Sequence, residues 1–383
     1  MDLKLKPLTN PDWDELSALY MKVLRYKSET LDEDYVPFTP AYTKYATEIN
    51  FSNLQTFFGI YSGENLVGTI GGTIIPISFQ DVELVGSAIT SYAIDPDFPL
   101  DREKKKNLFQ QFVNKIKEFD VDFIWVAIIK DVNSEEMKIF KEDLEFVRVS
   151  KNVENLVKLL GSEGVDILRQ KKKMNIVLAQ LAKTMAGMKD PPELEGVIRD
   201  AIPEDFPKIV ELFNNYSTKL PLTQIWTLES LQRYLDVTSQ LDSLDYSIIK
   251  KEFPGTPFGR HTKVWERDQK IIAALLYRVV FVRFKNGDAP FGFWDYVAFS
   301  QDLDVEEKKA FLITMYNELY HKAIIINVFL PYYDYKAIDK AGFMSERRKT
   351  PFFILPLTEK GQKLLELERI TKFYLPTLTD FAI

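Results

Sequence analysis

The sequence contains no cysteine among its 383 residues and has only two histidines. The lack of cysteine excludes disulfides, thiolate metal sites and cysteine nucleophiles. The two histidines, His261 and His321, leave almost no material for a histidine-based zinc site or a Ser-His-Asp triad. We therefore expect a protein without a metal.

A basic charge excess and long apolar runs are also missing. The net charge is −7 and the pI is about 5.3, whereas proteins that bind a nucleic-acid backbone usually present a basic face. No segment approaches 18 consecutive apolar residues, and the first residues lack the apolar core of a signal peptide. The sequence therefore predicts a cytoplasmic protein with no nucleic-acid partner and no membrane association.

The order of predicted elements occurs twice along the chain. Each half shows a strand, a turn and an amphipathic helix, and then a β-hairpin and a further strand. A helix with a Lys-Lys pair near its start comes next, followed by a buried apolar strand, a short helix and a last strand. The matching segments are 3–24 and 196–216, 56–79 and 263–282, 87–94 and 291–299, 103–118 and 305–321, 122–129 and 323–330, and 144–149 and 341–357.

This element order resembles the Gcn5-related N-acetyltransferase (GNAT) fold, used twice. The segment "YKAIDKAGFMSE" is similar to that family's closing helix and Gly-Phe strand start. The resemblance implies an α+β (mixed α/β) fold with two tandem domains, each a mostly antiparallel mixed sheet flanked by helices. We expect domains at 1–150 and 196–383, the second with a C-terminal helical tail. Apolar residues at helical spacing predict a helical connector over 151–195.

In that family, acetyl-CoA lies in a V-shaped opening between the fourth and fifth strands, and its pyrophosphate binds N–H groups in a glycine-containing loop at the start of the third helix. The corresponding loop here, 97–106, has no glycine but is rich in cations. Side chains could then reach the phosphates in place of the backbone. The alternative is an exposed lysine face on a helix that Asp101 caps. The residues that the resemblance implies for CoA are Tyr92, Ala93, Ile94, Arg102, Lys104, Lys105 and Lys106.

The equivalent junction of the second half predicts a lost CoA site. Its splayed strand would be 297–299, and its loop, 300–307, again has no glycine. The acids of that loop would stabilise the helix start but repel a pyrophosphate. CoA is therefore expected in the first half. The acids are Asp302, Asp304, Glu306 and Glu307.

The catalytic groups are less evident. The tyrosine that protonates the leaving thiolate in the family aligns with Phe140 in the first half and Ile338 in the second. A shift of one helical turn would recruit Tyr335. The best candidate base is Asp295, an acid within the apolar strand "FGFWDYVAF", because burial would raise its pKa and suit it to proton abstraction. The alternative is a carboxylate satisfied by neighbouring groups.

Three functions remain open at this point. The first is an acyl-CoA-dependent N-acyltransferase that transfers acetyl from acetyl-CoA to a small-molecule or protein amine. The second is a non-catalytic tandem protein that acts as a ligand sensor or interaction module. The third is a relative of transferases that use charged tRNA, against which the acidic charge balance argues. The sequence leaves open whether the protein is a monomer or a homodimer.

Overall fold

The computed structural model describes most of the chain. The described residues exclude 1–2, 32–34, 52–53, 81, 128–134, 149–152, 171–175, 219, 221, 237–252, 285–286, 329–333, 366–372 and 375–383. Two predictions therefore extend beyond them: the ends of the buried strands at 122–129 and 323–330, and most of the C-terminal tail. Among the described residues, no helix is long and apolar enough to cross a membrane.

The first sheet is built mainly from the first half of the chain. Its strands are β1 (Leu3–Pro7), β2 (Phe57–Ser62), β3 (Asn65–Phe79), β4 (Val82–Ile94), β5 (Phe123–Ala127), β6 (Val147–Arg148) and β15 (Phe352–Pro356). The spatial order is β1-β2-β3-β4-β5-β15-β6. Only the β4–β5 pair among these neighbours is parallel. The helices of this half are α1 (Trp13–Leu31), α2 (Pro40–Asn50), α3 (Arg102–Lys117) and α4 (Glu135–Lys138), which continues as a π-helical turn over Ile139–Asp143.

The second sheet repeats this arrangement. Its strands are β7 (Val153–Leu159), β8 (Val197–Asp200), β10 (Gly259–Arg267), β11 (Lys270–Phe284), β12 (Gly287–Phe299), β13 (Ile325–Val328) and β14 (Met344–Thr350). The spatial order is β14-β7-β13-β12-β11-β10-β8, and only β12–β13 is parallel. The helices are α5 (Gly161–Gln170), α6 (Ile176–Met185), α7 (Phe206–Ser217), α8 (Leu228–Asp236), α9 (Val305–Glu318), α10 (Tyr335–Ala341) and α11 (Glu359–Gln362). The predicted fold of two mixed sheets flanked by helices is confirmed.

The two halves exchange strands. β7 leaves the first half and lies between β13 and β14 of the second sheet, with Lys158 opposite Ile326. β15 leaves the second half and lies between β5 and β6 of the first sheet, with Ile354 opposite Trp125. Each sheet therefore takes one of its inner strands from across a predicted domain boundary.

This exchange corrects two predictions. The connector does not begin as a helix, because Val153–Leu159 is a strand; helices follow at Gly161–Gln170 and Ile176–Met185. The segment 341–357 is not one strand but two, β14 and β15, in different sheets. The segment VENLVKL mixes apolar and polar residues without strict alternation, so its pattern does not separate a strand from a helix, and this explains the error in the connector.

Other contacts also join the halves. β9 (Leu222–Gln224), from the second half, pairs with the end of β3 and with β16 (Phe373–Tyr374). Tyr35 forms a two-hydrogen-bond bridge with Arg283 at the end of β11. The segment that leads into α2 therefore runs against the second sheet.

The strand β7 carries a buried lysine into the second half. Lys158 is 1% exposed, and its Nζ lies 4.8 Å from the centre of the Tyr316 ring. Burial, and then the ammonium group of Lys189, lower the pKa of Lys158 from 10.5 to about 8. Between these two pH values the unfolded chain binds a proton that the folded chain has lost, so the free energy of unfolding rises with pH.

We expect Lys158→Met to remove this rise. Wild-type protein should gain stability between about pH 8 and pH 10.5 relative to the variant. Urea unfolding in phosphate-free buffers across this range measures the difference, and Lys117→Met, on the exposed face of α3, is the matched control. Equal pH slopes for wild type and Lys158→Met would show that the lysine titrates normally in the folded protein.

Candidate active site

β4 and β5 pair over only a short stretch, and the part of β4 beyond it is called here the opening of the first half. The two strands pair only from Gly86, opposite Phe123, to Ala88, opposite Trp125. β4 then continues to Ile94 without β5 beside it. Among the residues that the structure describes, no strand pairs with this edge of residues 89–94, so their backbone groups could pair with another extended chain.

A bulge shapes β4 within this opening. The β3–β4 register shifts between Thr69 and Gly71, and Ser91, on the facing strand, has a left-handed φ of 52°. The Thr69 hydroxyl donates to the Ser91 carbonyl at 2.7 Å and lies 3.1 Å from the Tyr20 hydroxyl. Burial raises the pKa of Tyr20, which keeps the phenol neutral. The helix α1 therefore holds the bulge in place.

The predicted pantetheine-lining residues point their side chains into the protein. Ala93 is 1% exposed and packs with the core residues of α1 and α2. The Tyr92 ring lies 5.0 Å from the Phe109 ring of α3, and burial raises the pKa of its phenol. Ile94 packs against the core under α3. The backbone of these three residues is thus the part that remains for a pantetheine arm.

The basic start of α3 is engaged by acids of α4 and the π-turn. Arg102 contacts the carboxylates of Glu142 and Asp143, each at 2.9 Å. Lys105 is only 17% exposed and contacts Glu135 at 2.5 Å and Glu136 at 3.0 Å. Both cations therefore already have carboxylate partners in the folded protein.

The neighbouring lysines are less constrained. Lys104 Nζ lies 3.0 Å from Asp101, and Lys106 Nζ lies 4.0 Å from Asp143. The Asp101 side chain also accepts the backbone N–H of Lys104 and so caps α3, as the alternative interpretation of this segment expects. The favourable local charge that residues 101–106 show along the sequence is thus balanced in three dimensions by acids from 135–143.

The second half has a similar opening with an acidic helix start. β12 pairs with β13 from Phe291 to Phe293 and then continues to Phe299. Asp304 caps α9 by accepting two backbone N–H groups. Glu306 contacts Lys309 at 2.8 Å and Lys340 at 2.6 Å, and these contacts lower the pKa of Glu306 to about 2. Glu306 is therefore ionised near neutral pH and paired with two lysines, and a lost CoA site in this half stays a prediction.

Asp295 lies at a bulge of β12, where the register with β11 shifts next to Leu276. It is 4% exposed, and its Oδ1 lies 3.2 Å from Arg278 Nε. Its Oδ2 accepts a hydrogen bond from the Tyr234 hydroxyl of α8 at 2.6 Å. These two partners match the alternative of a satisfied carboxylate, and the catalytic role stays a prediction.

A second buried arginine stands beside this pair. Arg260 lies directly opposite Arg278 on β10, and its guanidinium carbon lies 4.1 Å from the Tyr234 ring centre and 5.8 Å from that of Tyr45. Because Tyr45 belongs to α2, the cluster lies where the first half meets the second sheet. Arg278 interrupts the apolar run "AALLYRVVFV", and that interruption is the sequence signal that would have located the cluster.

The tyrosine position of the family is apolar in both halves. Phe140 is buried, with its ring 4.6 Å from Phe109 and 5.0 Å from Phe146. Ile338 is buried within α10. Tyr335, at the start of α10, is 43% exposed, and no contact among the described residues joins it to Asp295.

Neither a family model nor a curated protein matches this sequence. Solved structures do match its fold. N-myristoyltransferase of Saccharomyces cerevisiae with bound myristoyl-CoA superposes with a TM-score of 0.68 at 13% identity, over 92% of this chain and 82% of that chain. A GCN5-related N-acetyltransferase from Anabaena variabilis ATCC 29413 gives 0.57 at 8% identity, over 92% and 72%. The chain has a tandem GNAT fold.

A third structure extends this comparison. A protein from Enterococcus faecalis V583, described as a probable N-acyltransferase, matches the tandem GNAT chain with a TM-score of 0.54 at 11% identity, over 96% of this chain and 75% of that chain. At such identities the likeness establishes the fold alone. The resemblance inferred from element order is confirmed at that level.

Proposed function

We propose that the chain is an acyl-CoA-dependent N-acyltransferase whose first half binds the acyl-CoA. The observation that carries this proposal is the end of the β4–β5 pairing at Ala88, beyond which no described strand pairs with that edge of β4 as far as Ile94. The fold supports the same function, because it is shared with an N-myristoyltransferase that binds myristoyl-CoA.

The open edge suits the chemistry of the pantetheine arm. That arm contains two amide groups, which can exchange hydrogen bonds with the N–H and C=O groups of residues 89–94 as an added strand does. The phosphates would then lie towards the start of α3. There, the side chains of Lys104 and Lys106 are 44% and 38% exposed. Each lysine contacts one carboxylate rather than two, so it can turn towards an anion more readily than Lys105.

The proposal also specifies the acyl group and its acceptor. Acetyl is the acyl group that the family resemblance implies, and the yeast neighbour contains a myristoyl thioester instead. The acceptor is a small-molecule or protein amine, with Asp295 proposed as its base. A carboxylate can remove a proton from an ammonium group only if it faces the substrate, so Asp295 would have to exchange the Tyr234 hydrogen bond for one to the amine.

A non-catalytic sensor or interaction module is the second candidate. Two observations favour it. The buried Phe140 provides no hydroxyl for the leaving thiolate, and Asp295 has an ion-pair partner in Arg278 and a hydrogen-bond donor in Tyr234. Such a protein would bind acyl-CoA without turning it over.

A thiol-release assay separates these functions. Because the chain has no cysteine, a thiol reagent detects only the CoA freed by acyl transfer. Acetyl-CoA, acyl-CoAs of intermediate length and myristoyl-CoA are compared as donors. We expect at least one of them to release free CoA only when an amine is added. Binding by calorimetry without any amine-dependent release would favour the sensor, and neither binding nor release would reject both candidates.

The ion pairs of Lys105 give a sharper test of the phosphate site. Glu135→Gln combined with Glu136→Gln removes the two carboxylates that hold this lysine, and we expect acyl-CoA to bind several-fold more tightly. Lys104→Glu combined with Lys106→Glu should weaken binding by more than tenfold, since each charge-assisted contact contributes about 1.5–3 kcal/mol. Titration calorimetry measures both, with Lys117→Glu at the far end of α3 as the control. Equal affinities across these variants would remove the phosphates from this helix start.

A further inference from the structure

Two lysines of the connector meet beside a glycine of the second half. The Nζ of Lys189 and the Nζ of Lys158 lie 2.9 Å and 3.5 Å from the point that a Cβ on Gly342 would occupy. Gly342 has a left-handed φ of 93°, and it ends α10 where β14 is about to begin. A side chain at this position would therefore fill the space that the two ammonium groups face.

The phenol of Tyr316 belongs to the same cluster. Its ring centre lies 4.8 Å from Lys158 Nζ, and its hydroxyl is buried without a hydrogen-bond partner among the described residues. A buried hydroxyl usually has a partner, because an unsatisfied one costs about 1–3 kcal/mol. The phenol is thus an available donor on the ring that the Lys158 ammonium group contacts.

The cluster has one exposed member, and the segment that carries it is held in place. Lys189 is exposed whereas Lys158 and Tyr316 are buried, so an ion would enter from the Lys189 side. The Lys189 ammonium group donates a long hydrogen bond, 3.4 Å, to the Lys340 carbonyl. Asn317 donates to the Lys189 carbonyl at 2.9 Å and so fixes this segment against α9.

We propose that Lys158, Lys189 and Tyr316 form a binding site for a phosphate-type oxyanion, either the free ion or a phosphate monoester. Ammonium groups bind phosphate as point charges, and the tyrosine adds one neutral donor. A tetrahedral oxyanion has enough oxygens to accept from three donors that come from separate elements. The bound ion would reduce the repulsion between the two ammonium groups and join β7, the end of the connector and α9.

Three substitutions test this site. Lys189→Met removes an exposed ammonium group, and Tyr316→Phe removes only the hydroxyl from a ring that stays packed in the core. Lys183→Met, on the exposed face of the same connector, is the matched control. Binding of inorganic phosphate and of glycerol 3-phosphate is measured by calorimetry and by melting temperature, with sodium chloride holding the ionic strength constant.

Saturable binding of at least one of the two phosphates is expected for wild type and Lys183→Met. Lys189→Met and Tyr316→Phe should each bind about tenfold more weakly or worse. Without phosphate, Tyr316→Phe should melt no lower than wild type, because the hydroxyl has no hydrogen-bond partner among the described residues. Tighter binding of the monoester identifies an organic phosphate, and equal or weaker binding identifies the free ion. The proposal fails if wild type shows no saturable effect beyond that of chloride, or if both variants bind as wild type does. None of these outcomes depends on acyl transfer.

Discussion

Truncation of Phe353 to alanine is expected to lower the free energy of unfolding by about 3–5 kcal/mol. Phe353 lies on β15 and is 1% exposed, opposite Val126 on one side and Arg148 on the other. It packs with the core under α3, although it comes from the second half of the sequence. Loss of its ring would leave a cavity in the core between α3 and the first sheet.

Urea unfolding monitored by circular dichroism measures this effect. Val147→Ala, in the neighbouring strand β6 and 40% exposed, is the control and should change stability by about 0.5 kcal/mol or less. The same strand exchange predicts that residues 1–150 alone, without β15, do not unfold cooperatively. A cooperative melt for that fragment, or a Phe353→Ala variant as stable as wild type, would show that β15 contributes little to the first sheet.

Replacement of Asp295 by asparagine has the second large expected effect. The substitution removes the carboxylate charge from a buried ion pair with Arg278. We expect this to lower the free energy of unfolding by about 3–5 kcal/mol. If Asp295 is also the base, acyl transfer by the fully folded variant should fall by roughly 10²–10⁴-fold. The two effects are separable, because stability is measured as a melting temperature, whereas acyl transfer is measured as a rate at a temperature well below the melting temperature.

Tyr234→Phe is the matched control for this site. It removes the hydrogen bond to Oδ2 but keeps the carboxylate, so it should lower stability by about 1 kcal/mol and leave the base intact. Unchanged melting of Asp295→Asn would refute the ion pair as a source of stability. Undiminished acyl transfer by the folded Asp295→Asn variant would refute the catalytic role.

The order of elements was accessible from sequence because each element has its own signal. The hairpins at 56–79 and 263–282 alternate apolar and polar residues around a turn, and α3 and α9 both follow an aspartate that caps them. The strand exchange had no such signal. Nothing in the sequence of residues 153–159 distinguishes pairing with β13 from pairing with a strand of their own half, so only three-dimensional packing decides the partner.

The candidate site was predicted less completely for a related reason. The cations at 102–106 are visible in the sequence, but Glu135, Glu136, Glu142 and Asp143 lie about 30–40 positions away and balance them only after folding. Likewise, nothing along the chain connects Asp295 to Tyr234, which is 61 positions away. Charge pairs between distant segments depend on topology, which a local count of charges does not include.

Hydrogen exchange with and without acyl-CoA tests most directly whether the first half is the donor site. Binding at the opening between β4 and β5 should slow the exchange of amides in 89–94 and at the start of α3, while residues 297–307 of the second half exchange as before. Myristoyl-CoA and acetyl-CoA are compared at saturating concentration, with free CoA as the control for the phosphate contacts. Slower exchange confined to 297–307, or no change in either opening, would contradict the proposed first-half acyl-CoA site.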